Sequence, residues 1–273
     1  MNDYQLICSD IDGTLLNKER QLSKRTIQVF RQLKNQTPIV LISSRMPLAM
    51  RHLQVELDIQ LQPLIAYNGG LVMDYKNDDV NVLLSIQVPM TITDALLDFV
   101  STTTIHTSLY NADEWYVPQM DYWANREMNN TKVKPEVADL NHISQQWKDK
   151  NLGPHKIMCM GEAAEIQSLE DWINSNYSKQ LNAYRSKPTY LEISSKQISK
   201  LSALNFLLDK QFDIPLNKVI AFGDNYNDIE MLQGVGLGVA VQNAKEEVKA
   251  VADRITLSNI EDGVAAFFSE ISS

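Results

Sequence analysis

The residues best placed to do chemistry are two acidic clusters, each following an apolar run. Leu6-Ile7-Cys8 leads into Asp10-Ile11-Asp12-Gly13-Thr14, and Lys218 to Phe222 leads into Gly223-Asp224-Asn225-Tyr226-Asn227-Asp228. An apolar run ending in acidic and glycine residues predicts a strand whose carboxyl end carries the acids, and that edge of a parallel sheet is where α/β proteins bind ligands. Asp10 points into the crevice, and the Gly13 turn lets Asp12 approach the same place. Carboxylates so close repel one another unless a proton or a cation intervenes. A hard divalent ion such as Mg²⁺ takes oxygen ligands and also binds phosphate oxygens. Taken singly, the first pair reads equally well as capping aspartates in a solvated turn. The second reads as a helix N-cap through Asn227 or Asp228. Together, four acids at two strand ends would destabilise each other without a counter-charge.

Two further residues suit an anionic ligand. Ser43 ends the apolar run Pro38 to Ser43, where a hydroxyl and backbone N–H groups can meet an anion at a helix start. Lys200 opens a helix, a position the helix dipole disfavours for a cation unless a ligand compensates. Lys196 lies nearby, and spacing alone does not choose between the two lysines.

The elements that must position these groups follow a recognisable rhythm. Tyr4 to Ser9, Pro38 to Ser43 and Leu64 to Tyr67 read as strands, separated by helical patterns at Ser23 to Lys34 and after Pro47. This is the β-α-β-α-β order of a parallel α/β sheet. Leu71 to Asp74 and Val82 to Ile86 read as a hairpin across Lys76-Asn77-Asp78-Asp79. From about Thr91 to Ser186 helices (Ile92 to Val100, Glu162 to Tyr177) alternate with isolated strands such as Lys156 to Met160, which predicts an inserted α+β domain. The first rhythm returns at Ser199 to Leu208, with strands at Lys218 to Phe222 and Leu237 to Val241 and helices from Ala244 and Ile260. The expected division is 1–85 with 187–273 for the core, and 86–186 for the insert.

Composition sets the outer limits. The 273 residues include 44% hydrophobic and 22% charged residues, which is ordinary for a globular chain. A net charge of −9 without any basic run argues against nucleic acid as partner. Neither a basic leader with an apolar core nor a run of membrane-spanning length occurs, so the expectation is a cytoplasmic protein with no membrane partner. Cys8 and Cys159 read as buried strand residues. His52, His106, His142 and His155 share no metal-ligand spacing and read as structural or surface residues. Tyr110, Trp115, Tyr116, Tyr122 and Trp123 fit the core of the insert better than a ligand surface.

These motifs resemble the haloacid dehalogenase superfamily, and within it the Cof-type capped phosphatases, over essentially the whole chain. The resemblance implies a Rossmann-like α/β parallel-sheet core with an inserted α+β cap domain that sets substrate specificity. It implies that Asp10 is the nucleophile and Asp12 the general acid/base of an Mg²⁺-dependent phosphatase acting on a small phosphorylated metabolite. It further implies a metal held by the Asp10 side chain, the Asp12 backbone carbonyl and Asp224, with Asp228 supporting that shell. Ser43, Lys200 and Asn227 would meet the phosphate, and the lysine motif thereby selects Lys200. Two positions depart from the family pattern: Ser44 stands where Thr-Gly-Arg has glycine, and Leu201 where Ser-Lys-Gly has glycine. The mechanism implied is in-line attack by Asp10, an aspartyl phosphate, and hydrolysis of that phosphoenzyme with Asp12 moving the protons. A sugar phosphotransferase or phosphomutase on the same scaffold, a phospho-receiver switch and a non-enzymatic binder of phospho-ligands are the competing readings. A receiver is a small single domain with no such insert.

Overall fold

Short runs of wholly buried residues form the centre of the main sheet: β1 (Leu6–Ser9) and β2 (Ile39–Ile42) are buried at every position. A strand buried on both faces suits a parallel sheet covered by helices on either side. The computed structural model describes residues 4–76 and 79–271. Between β1 and β2 lies α1 (Lys24–Leu33), started by Ser23, whose side chain accepts from the Thr26 N–H at 3.0 Å. Then come α2 (Leu48–Leu57), β3 (Leu64–Ala66), β4 (Leu71–Lys76) and β5 (Asp79–Ser85). The last two are neighbours, as the hairpin reading expects; Asn77 and Asp78 of its expected turn lie outside the described residues.

The chain continues through α3 (Met90–Val100), β6 (His106–Asn111), β7 (Glu114–Val117), α4 (Tyr122–Thr131), β8 (Glu136–Val137), α5 (Leu140–Asp149), β9 (Lys156–Met160), α6 (Ala163–Tyr177), β10 (Leu181–Lys187) and β11 (Tyr190–Ser195). It closes with α7 (Lys200–Leu207), β12 (Val219–Gly223), α8 (Ile229–Gly234), β13 (Leu237–Val241), α9 (Glu246–Val251), β14 (Arg254–Thr256) and α10 (Gly263–Ile271).

The structure divides into two compact units, Met1–Leu84 with Ser199–Ser273, and Ser85–Ile198. The second boundary therefore falls at 198, not at 186 as expected from sequence. The cause is strand pairing: β11 lies antiparallel to β9, with Leu191 opposite Cys159 and Ile193 opposite Ile157, and β10 pairs with β11. That hairpin belongs to the second unit's sheet.

In the first unit the sheet order is β14-β13-β12-β1-β2-β3-β4-β5. Pairing from β14 through β3 is parallel, and β4 runs antiparallel to β3. The first crossovers build outward from β1 in one direction, while β12 to β14 fill the other side. This places a topological switch beside β1, with β12 and β2 as its two neighbours. The ends of those strands carry Asp224, Asp10 and Ser43, so one sheet edge gathers all three.

The second unit's sheet has the order β10-β11-β9-β6-β7-β8. Leu109, Ile157 and Ile193 share one row of it and pack with Leu96, Trp147 and Leu169 from its helices. Two hairpins here, β6–β7 and β10–β11, do not show as strands in the sequence. All six residues of β6 are buried, so no alternation of polar and apolar residues marks it. Tyr110 and Trp115 are buried and stacked on each other, whereas Tyr122 is exposed. Cys8 and Cys159 are free and buried. No helix among the described residues is long and apolar enough to cross a membrane.

Within the second unit His155 is a buried structural histidine. Its Nδ1 accepts the Ala112 backbone N–H at 3.2 Å in the tight β6–β7 turn, which leaves the Nε2 proton for Ser85 Oγ at 3.0 Å. Ala112 sits at φ +46°, a conformation that such a tie helps to hold. Burial lowers the His155 pKa to about 4 from the ordinary 6.5. The unfolded chain therefore binds a proton that the folded chain refuses, and stability falls as pH drops from 6.5 towards 4. Between pH ~7 and ~4.5 this one group should cost roughly 2 kcal/mol. Urea unfolding of His155→Asn at those two pH values should show a smaller pH difference than wild type by about that amount. An unchanged difference would refute the assignment.

Candidate active site

The Asp10 and Lys200 side chains meet in the interior, at the carboxyl end of β1. Asp10 is 6% and Lys200 1% exposed. The Lys200 Nζ donates to Asp10 Oδ1 and to Asp228 Oδ1, each at 2.6 Å. Lys200 is the first residue of α7, capped by Ser199 through the Ser202 N–H. The two carboxylates compensate for the position the dipole disfavours. Lys196, the alternative in the sequence, instead gives its Nζ to the Ser178 carbonyl at 3.0 Å.

Asp228 organises the β12 loop. Its Oδ2 accepts the backbone N–H groups of Asp224 and Asn225, both at 3.0 Å. Both of its oxygens are thus occupied, which suits a supporting position. The helical turn that follows is capped by Asn225, with Asp228 reaching back to it. Asp224 lies against the β1 loop and accepts from Thr14 Oγ1 at 3.1 Å. Gly13 stands at φ +83°, and a Cβ there would come within 2.3 Å of Asp224 Oδ2. Only glycine allows this approach.

Carboxylate oxygens of Asp10, Asp224 and Asp228 all lie within 4.8 Å of one another. Burial and Asp228 raise the Asp224 pKa to about 7, with Thr14 and Lys200 acting in the opposite sense. Burial likewise drives Asp10 upward, with Lys200 opposing and Asp228 and Asp224 adding to the rise. For Lys200, burial works against the charge, but Asp10 and Asp228 outweigh it and hold the ammonium protonated. Ionised together, three carboxylates facing one ammonium would carry two negative charges beyond what it matches. This charge deficit, oxygen donors only, and the Gly13 cradle all fit a hard divalent cation.

Asp12 occupies different surroundings. Arg45 Nε donates to Asp12 Oδ2 at 2.6 Å and Arg45 Nη2 to Oδ1 at 2.8 Å, a two-point fork, and Arg20 Nη2 adds a bond to Oδ1 at 2.7 Å. Burial opposes ionisation, but Arg45 and then Arg20 overcome it and hold Asp12 well below the usual carboxylate range. With its side chain so engaged, Asp12 has its backbone carbonyl left to offer a metal.

Ser43 is buried at the end of β2, its Oγ accepting from the Arg45 N–H at 3.3 Å. Asn227, expected near the phosphate, donates through Nδ2 to Asn68 Oδ1 at 2.8 Å. The sequence motifs contain Arg45, Thr14 and Asn68 without assigning them a role, and Arg20 lies outside every motif. Arg20 gives no signal, being a surface arginine in a turn with φ +59°.

The two departures from the family pattern are accommodated. Neither Ser44 nor Leu201 adopts a positive φ, so neither position demands glycine for its backbone. Leu201 fills space left by Gly234 at the end of α8: a Cβ on Gly234 would meet the Leu201 side chain at 2.6 Å.

Comparison with known proteins places this geometry in a family. A model of haloacid dehalogenase-like hydrolases matches residues 7–268. A Haemophilus influenzae protein named as a phosphatase is 33% identical, with 98% of each chain covered. The 5-amino-6-(5-phospho-D-ribitylamino)uracil phosphatase YitU of Bacillus subtilis is 28% identical over 97% of this chain and 96% of its own. A crystal structure of a haloacid dehalogenase-like hydrolase from Bacteroides thetaiotaomicron superposes with a TM-score of 0.88 at 28% identity, covering 98% of this chain and 99% of that one. The chain belongs to the haloacid dehalogenase-like hydrolases, among that family's phosphatases and phosphotransferases.

Proposed function

We propose that this protein is an Mg²⁺-dependent phosphatase that hydrolyses a small phosphorylated metabolite through a phosphorylated Asp10. The observation that carries this reading is the buried Asp10–Lys200–Asp228 ion triad beside Asp224, whose three carboxylates exceed the one ammonium by two charges when ionised. Asp10, Asp224 and the Asp12 backbone carbonyl would hold the metal. When bound, it would supply the positive charge that lets an anionic nucleophile approach an anionic ester. Lys200 keeps Asp10 aimed and offers its remaining donor capacity to phosphoryl oxygens, alongside the Ser43 hydroxyl and the Asn227 amide. Asp10 Oδ attacks phosphorus in line, the ester oxygen leaves, and an aspartyl phosphate forms. Water then attacks that phosphorus, giving its proton to Asp12 and releasing Asp10 and inorganic phosphate. Asp12 as described is ionised, the form that accepts the water's proton. Protonating the leaving oxygen in the first step requires Asp12 to leave its arginine partners and take up a proton from solvent, which it gives to that oxygen before accepting another from the attacking water.

All of these residues belong to the first unit, so we assign recognition of the leaving group to the second, spanning Ser85–Ile198. The B. subtilis relative acting on 5-amino-6-(5-phospho-D-ribitylamino)uracil puts that ester first on a substrate panel. A small ligand inside the cell fits a cytoplasmic protein with neither nucleic acid nor membrane as partner.

Replacing the nucleophile gives the first test. Asp10→Asn keeps the shape and removes one buried charge, so the variant should fold, judged by its melting curve. Phosphate release should fall by on the order of 10³-fold or more. Turnover near wild type would eliminate the covalent mechanism.

The metal gives the second. Chelation should abolish phosphate release in the absence of any acceptor, and Mg²⁺ should restore it. Ca²⁺ should inhibit, because its larger and looser coordination misplaces the nucleophile. Asp224→Ala should raise the Mg²⁺ concentration needed for half activity by roughly 10-fold or more. Activity indifferent to chelator would remove the metal from the mechanism.

A further inference from the structure

The β1 loop and the β12 loop are joined by a third segment, which supplies no reacting group. Asn243, just beyond β13, donates its Nδ2 to the Gly13 carbonyl at 2.7 Å. Two residues on, the Lys245 N–H donates to the Asp224 carbonyl at 3.0 Å. One short turn thus grips the backbone of both loops. The Asn243 amide is itself oriented, since its Oδ1 accepts the Asn259 N–H at 2.8 Å. That bond makes Nδ2 the atom facing Gly13. Asn259 then returns to the same loop, donating its Nδ2 to the Leu16 carbonyl at 2.7 Å.

The geometry these bonds fix is narrow. Gly13 carries the left-handed φ that brings Asp224 Oδ2 into the space a Cβ would fill. The Gly13 carbonyl lies one peptide from Asp12, and Asp10 is three residues back. A shift of either loop therefore changes the distance from Asp10 and the Asp12 carbonyl to Asp224. The Asp10, Asp224 and Asp228 carboxylates repel one another, and Lys200 bridges only Asp10 and Asp228, so the spacing of the Gly13 loop from Asp224 draws on bonds outside the cluster. Thr14 supplies one such bond, to the Asp224 side chain. The 243–245 turn supplies backbone bonds on both sides.

We propose that the Asn243–Lys245 turn sets the spacing between the Gly13 loop and Asp224, with Asn243 as a positioning residue for the cation cradle. This rests on the metal reading above, and the experiment separates the two. Mn²⁺ binding to the full-length protein, followed by electron paramagnetic resonance, reports the cradle directly without turnover. Asn243→Ala should weaken Mn²⁺ binding by about 10-fold, the effect of losing a support behind metal ligands. The melting temperature of the metal-free protein should stay close to wild type, because Asn243 is exposed. Hydrogen exchange of the amides at 11–16 should quicken in the metal-free variant. Asn259→Ala, which spares the Gly13 contact but frees the Leu16 carbonyl, should give a smaller loss in the same direction, and serves if Asn243→Ala folds poorly. A lower melting temperature with unchanged Mn²⁺ affinity would make the turn merely structural and overturn the inference alone. A wild-type protein that binds no Mn²⁺ would overturn the metal reading and this inference with it.

Discussion

The first unit is organised around a buried ammonium that two carboxylates share. Taking Lys200, Asp10 and Asp228 out of water costs several kcal/mol per ion, and their mutual attraction offsets this only with short, well-directed bonds. Both bonds from Lys200 measure 2.6 Å. For one side chain to reach both acids, the ends of β1 and β12 must be neighbours, and α7 must begin beside them. The parallel order β12-β1-β2 meets the first condition, and the Ser199 cap, which starts α7 at Lys200, meets the second. Such a triad is a poor source of stability compared with packed apolar residues. Its presence in the core is therefore better explained by what it does to Asp10, the proposed nucleophile: it aims the carboxylate and opposes the upward drive of burial and the neighbouring acids.

Two aspartates only two residues apart end in opposite electrostatic surroundings. Asp10 sits among like charges with a single ammonium, while Asp12 lies in an arginine fork with a second guanidinium alongside. The first arrangement leaves negative charge for a cation to match. The second neutralises its carboxylate locally and with excess positive charge. In the proposed mechanism this difference of environment separates the carboxylate that attacks from the one that moves protons. Ile11, wholly buried between them, anchors the loop so that the two carboxylates diverge.

Much of this was legible in the sequence because the main sheet advertises itself. Runs such as Ile39–Ile42 are apolar throughout, and acids or hydroxyls stand directly after them, so strand ends and candidate chemistry were read together. Asp10, Asp224, Asp228 and Lys200 meet as their positions suggested. Asn227 sits within the expected loop, though its amide is turned to Asn68. What stayed hidden depends on pairings distant in sequence. Arg20 and Arg45 reach Asp12 by side-chain direction, which no spacing encodes. The Asn243 clasp joins residues 230 positions apart. In the second unit, β6 and β11 are covered on both faces and carry polar residues such as His106, Ser108 and Glu192. No apolar run marks them, β11 shows only the short alternation Leu191-Glu192-Ile193-Ser194, and the boundary set by β11 moved accordingly.

The two missing glycines show how a motif can change without changing its site. A glycine is indispensable where φ is positive or where another group occupies the place of its Cβ. Gly13 meets both conditions, since its φ is +83° and Asp224 fills the Cβ position. Ser44 and Leu201 meet neither condition on the backbone. At Leu201 the added side chain needs room, and Gly234 on the facing helix provides it. A Cβ at 234 would meet the Leu201 methyl groups at 2.6 Å, so the glycine and the leucine share the space between α7 and α8.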